Sequence, residues 1–140
     1  MPSDNVTPFR RPKPARPQQS GGVGLKTHRG KVVLVHLLTI AAFALNLFLR
    51  MPPWSLIGTA VGIAAIALAF TNRGQAMPWA NTHHEHAVRT LVIGYAIWVL
   101  GSLLGYVNGA LAVGTIFVQL AVAIWAGLRA AIALVLGVMR

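Results

Sequence analysis

The sequence contains no cysteine and only two acidic residues, Asp4 and Glu85, in 140. Without cysteine there is no disulfide, no thiol nucleophile and no thiolate metal ligand. With carboxylates this scarce and no activated serine in view, hydrolytic chemistry has no nucleophile-plus-base constellation to draw on. Neither a phosphate-binding loop nor a dinucleotide fingerprint is present. Charged residues make up 10% of the chain, against about 25% in an average soluble domain. A soluble chain this short needs more polar surface than that to cover one core.

What the chain does contain is apolar residues, 56% of the total. They fall into four runs without internal charge: 32–49, 54–70, 90–107 and 110–128. Eighteen helical residues reach about 27 Å, the thickness of a hydrocarbon core. The expected fold class is therefore all-α: a polytopic membrane protein, a bundle of four transmembrane helices. The first run competes with a cleaved signal peptide. Such a peptide has a shorter apolar region and a small-residue cleavage motif, whereas Arg50-Met51-Pro52-Pro53 follows here and reads as a tight break between helices.

Trp54 opens the second run at the place of an interfacial aromatic. Asn72-Arg73-Gly74 ends it, with Gly74 as a left-handed cap, and residues 72–82 form the longest internal loop. Thr82 and Glu85 fit a capping box that starts the third helix ahead of the membrane. Asn108-Gly109 is a turn signal. Beyond Arg129, residues 130–140 are expected either to bend and lie at the interface or to extend the fourth helix, because a straight helix from 110 to 139 is about 45 Å long.

The formal charge of +10 rests on twelve Lys and Arg. In a soluble protein that excess suggests nucleic acid, but its placement here is topogenic and no nucleic-acid partner is expected. Seven of the twelve cations lie within the first 31 residues, and the rest stand singly at the ends of apolar runs. Residues 1–30 hold five of the eight prolines and show no helical period, which predicts a disordered basic cytoplasmic tail followed by a membrane domain over 31–140. The tail serves as a retention signal, and its cations also suit anionic headgroups. Counting cations with the N-terminus inside gives eleven inside and Arg50 alone outside. The positive-inside rule then places both ends in the cytoplasm.

Gly58 and Gly62 form one GxxxG pair and Gly101 and Gly105 another, each offering a flat helix face. That face serves either packing within the bundle or self-association. His36, Thr39 and Asn46 share an arc of about 80° on the first helix, and Thr115 and Gln119 lie one turn apart on the fourth. Intramembrane polar groups such as His36, Asn46 and Gln119 are expected to face the bundle interior. They form interhelical hydrogen bonds in one reading and a solute path in another. The cluster His83-His84-Glu85-His86 has adequate metal-ligand types, and His83 and His86 share a face. It lacks the HExxH spacing of a zincin, so it reads first as an interfacial helix start. No cofactor is expected. Trp79, Arg89 and Arg129 are expected at the interface.

Ala69-Phe70, Arg73, Trp79, His83 and Arg89-Thr90, continued by Ile93-Gly94, form a pattern that spans the central loop. With Val35-His36-Leu37 and the ending Ala121-Val122-Ala123-Ile124-Trp125 before Arg129, it resembles a family of small bacterial membrane proteins of unknown function. That family is distantly related to the twenty-kilodalton component of the chloroplast inner-envelope import machinery (Tic). The resemblance covers about residues 31–130. It implies a four-helix multi-pass protein of a bacterial inner membrane, with no established enzyme activity. The sequence departs from the family in lacking acidic residues in the central loop and in the length of its basic tail. The functional expectation is a non-enzymatic membrane component acting by helix–helix association, with itself or with a membrane partner. A small transporter or channel subunit, and a metal-binding protein using His83 to His86, are the alternatives.

Overall fold

A computed structural model describes residues 24, 26–74 and 77–139. Most of the basic tail, as well as Arg140, lies outside the described residues. Four helices follow in order: α1 His28–Phe48, α2 Ser55–Asn72, α3 Pro78–Val107 and α4 Gly109–Met139. All four are long and apolar enough to cross a membrane. The described residues contain no strand, and the fold is an all-α four-helix bundle.

The helix ends have local causes. Thr27 caps α1, its hydroxyl accepting from the Gly30 amide at 3.0 Å. The helix thus starts four residues ahead of the first apolar run and takes in Arg29 and Lys31. Gly74 sits at φ 78° just past α2, a left-handed position that a side chain would strain. The expected capping box at Thr82 and Glu85 does not form. Pro78 stands at the start of α3, where its fixed φ and missing N–H suit a first turn. The helix therefore begins five residues early, with Met77 rather than Thr82 at the cap position, and the preceding loop is short. Thr82 is already inside it, its hydroxyl donating to the Pro78 carbonyl at 2.9 Å, and Glu85 pairs with Arg89 at 2.6 Å. Past Arg129, residues 130–139 extend α4 as helix and do not leave it for the interface.

α1 is the packing centre. It contacts α2, α3 and α4, whereas α2 and α4 do not meet closely. Its buried residues Val32, Val35, His36, Thr39, Ala42, Phe43 and Asn46 recur at three- and four-residue steps, one helical face. Phe43 is the large core side chain, surrounded by Ala65, Leu91, Val122, Ala123 and Ala126. The outward faces carry large apolar residues such as Ile63 at 64% and Phe117 at 66% exposure. A water-soluble fold does not leave such a belt uncovered, and lipid is the solvent that fits it.

The two helical hairpins are not level. At one end they are flush: Lys31 Nζ donates to Asn72 Oδ1 at 2.8 Å, and Val32 lies against Gly137. At the other end α1 stops at Phe48, while Asn46 meets Tyr95 and Phe43 meets Trp98. Residues 99–107 of α3 and 109–118 of α4 continue past that level. Nine residues at helical rise make a step of about 13 Å. Among residues 99–118 only Gly101 is buried.

Candidate functional site

Each end of the bundle holds a polar cavity, and the core layer around Phe43 separates the two. At the flush end, α3 supplies Trp79, Thr82, His83 and His86, and α4 supplies Arg129, Ile132, Ala133 and Leu136. They line a cavity of about 610 Å³. His36 joins from α1, fully buried, with its Nε2 at 3.2 Å from His83 Nδ1 and its ring 6.5 Å from that of His86. The Trp79 ring packs edge-on against His83 at 6.0 Å. Arg129 places Nη2 at 3.3 Å from His86 Nδ1, and its guanidinium lies 5.4 Å from the Trp125 ring centre.

Donor logic fixes one tautomer. A guanidinium can only donate, so His86 Nδ1 accepts and its proton resides on Nε2. That Nε2 is buried with no hydrogen-bond partner, as is Arg129 Nε. His36 Nδ1, both nitrogens of His84 and Arg29 Nε are in the same condition. All belong to the flush end. Among the described residues the only carboxylate side chain is Glu85, exposed and already paired with Arg89. Among the described residues this end therefore gathers more donors and cations than its one carboxylate offsets.

The adjacent histidines are distributed by helical geometry. His84 is fully buried, while His83 and His86, three residues apart, turn together toward His36. Among the described residues, no group of three or more histidine and acidic side chains is arranged to hold a metal ion. The surrounding charge is also the wrong sign for one.

At the stepped end, Asn46, Arg50, Ser55, Thr59, Ser102, Thr115 and Gln119 surround a second cavity of about 470 Å³. Arg50, expected as the lone cation on the outer side of the membrane, donates to Gln119 Oε1 at 2.8 Å, and Gln119 Nε2 donates to Ser102 Oγ at 2.9 Å. Asn46 Nδ2 donates to Tyr95 Oη at 2.9 Å, and the Tyr95 hydroxyl donates to the Gly58 carbonyl at 3.1 Å. His36, Asn46 and Gln119 all face the interior. Tyr95 and Arg50 were not legible as partners. Tyr95 sits inside an apolar run where a phenol reads as bulk, and Arg50 reads as a loop charge.

The glycines divide. A Cβ on Gly58 meets Asn46 at 2.8 Å, one on Gly62 collides with the Tyr95 ring, and one on Gly105 meets Thr115 Oγ1 at 2.9 Å. These three serve packing within the bundle. A Cβ on Gly101 meets nothing within 4 Å. Trp79 and Arg129 line the basic cavity, whereas Arg89 is exposed beside Glu85.

The fold and these two polar ends define a multi-pass helical membrane protein. Comparison with family models, with characterised proteins and with solved structures finds no match.

Proposed function

We propose that the protein is a non-enzymatic multi-pass component of a bacterial inner membrane, with both ends in the cytoplasm, that works by associating with a further membrane helix. The helix belongs to a second copy or to a membrane partner. The observation that carries this reading is the step between the hairpins. It leaves Arg50, Ser102, Thr115 and Gln119 around a cavity beside the projecting, predominantly apolar ends of α3 and α4. Polar groups at that depth are costly against lipid. A docked helix satisfies them and covers apolar surface at the same time. Gly101, with open space before it, gives such a helix a close approach. Blue-native electrophoresis of gentle detergent extracts tests this. Wild type is expected to run well above the 14.9 kDa monomer, and Gly101→Leu and Gln119→Leu are expected to release the monomer. Monomeric migration of all three contradicts association.

A second reading, a small transporter or channel subunit, is favoured by the placement of one polar cavity at each end with Phe43 and its layer between them. Solute flux in proteoliposomes that falls in His36→Ala supports it, and flux indifferent to that change removes it.

A further inference from the structure

We infer that the basic cavity between α3 and α4 is a binding site for an anionic phospholipid: the phosphate is held by Arg129 and His86, and an acyl chain lies along Ile132 and Leu136. The inference is independent of association at the opposite end.

Three observations converge on it. First, two N–H donors of cavity-lining residues lack acceptors. Arg129 Nε and His86 Nε2 are buried and unpartnered, and both residues line it. A buried unpaired donor is costly, so one from each of the two helices that flank the cavity marks a place for acceptor oxygens. Second, among the described residues no uncommitted carboxylate is at hand. Glu85 is committed to Arg89 at 2.6 Å, while Arg29, Lys31 and Arg129 cluster with the histidines at this end. Phosphate oxygens suit a guanidinium fork better than a point charge. Third, the α4 wall that carries Arg129 continues as aliphatic side chains. Ile132 and Leu136 lie one turn apart on α4, 62% and 52% exposed, so the cavity is continuous with the lipid-facing surface. A free phosphate needs no such wall, whereas a diacyl lipid does. Trp79 on the rim is an interfacial anchor at headgroup depth.

A metal ion fits the same place poorly. His36 Nε2 and His83 Nδ1 are close at 3.2 Å, but the neighbouring guanidinium groups repel a cation, and among the described residues no unpaired carboxylate offsets them.

The test is native mass spectrometry of the full chain released from mixed nanodiscs of phosphatidylglycerol and phosphatidylcholine. Wild type is expected to retain one phosphatidylglycerol, with at least about tenfold preference over phosphatidylcholine. Arg129→Gln should abolish the preference. Leu136→Trp, which fills the apolar half and leaves every charge in place, should weaken retention of phosphatidylglycerol by a similar factor. Arg73→Gln serves as the control for bulk charge, because Arg73 stacks on Phe70 at 3.8 Å outside the cavity, and it should bind as wild type does. Circular dichroism of each variant establishes that the helices persist. Equal retention in wild type, Arg129→Gln and Leu136→Trp overturns the site, and so does a loss in Arg73→Gln as large as in Arg129→Gln. Displacement of the lipid by millimolar inorganic phosphate, with Leu136→Trp unaffected, overturns the lipid assignment and leaves a soluble phosphate as the ligand.

Discussion

Gly62 and Gly101 each belong to a GxxxG pair, yet their environments differ. The Tyr95 ring occupies the place of a side chain on Gly62, and the Tyr95 hydroxyl is bonded to both Asn46 and the Gly58 carbonyl, so the ring cannot withdraw freely. Gly62→Ala should therefore destabilise the bundle by about 1–3 kcal/mol, the cost of overpacking. Gly101→Ala meets open space and should be neutral, or stabilising by up to about 1 kcal/mol through helix propensity. Reversible unfolding in mixed micelles measures both, and equal effects would contradict the packing described. Tyr95→Phe removes the hydroxyl between α1 and α2 and should cost about 0.6–1.5 kcal/mol in the same assay. The spacing of these glycines is plain in the sequence. Their difference is not, because it depends on which side chain of another helix lands opposite each one.

At the scale of helices, the four apolar runs locate α1 to α4, because charge-free stretches of this length have one stable solution in a bilayer. The ends moved for reasons the runs do not carry. Pro78 started α3 ahead of the Thr82 and Glu85 pair, and residues 130–139 kept helical form past Arg129. The polar residues His36, Asn46 and Gln119 were legible as inward-facing because polar groups in a span avoid lipid. Their partners were not, since His36 with His83 and Arg50 with Gln119 are set by the register between helices. That register also creates the step. Its direct check is site-directed spin labelling, for which the cysteine-free sequence is a ready background. Labels at Phe48→Cys and Val107→Cys are expected to differ in bilayer depth by about 13 Å. Equal depths mean that the hairpins are level and remove the cavity beside Arg50 as a feature of the membrane-embedded protein.

The whole molecule is asymmetric in charge and in shape along one axis. Lys26, Arg29, Lys31, Arg73, Arg89 and Arg129 belong to the flush end, and the stepped end carries Arg50 alone among the described residues. Cationic segments resist translocation, so the flush end is expected to stay in the cytoplasm. The connection 108–109 at the tip of the projecting hairpin is then expected on the far side. Reporter fusions check this: alkaline phosphatase joined after Gly109 should be active, whereas fusions at residue 26 and after Arg140 should be silent there and fluorescent with a cytoplasmic reporter. Ends that report opposite sides contradict the even number of crossings. The step sharpens the expectation for the α1–α2 connection. It lies beside Ser102, Gly105 and Thr115, short of the far tip, and the one cation it carries is hydrogen-bonded inward to Gln119. An impermeant thiol reagent should therefore modify Met51→Cys much more slowly than Asn108→Cys in intact cells. Arg50→Leu removes the cation that ties this turn to α4. It should change the Met51→Cys rate and leave Asn108→Cys as it was, because only the shorter hairpin depends on that hydrogen bond for its depth.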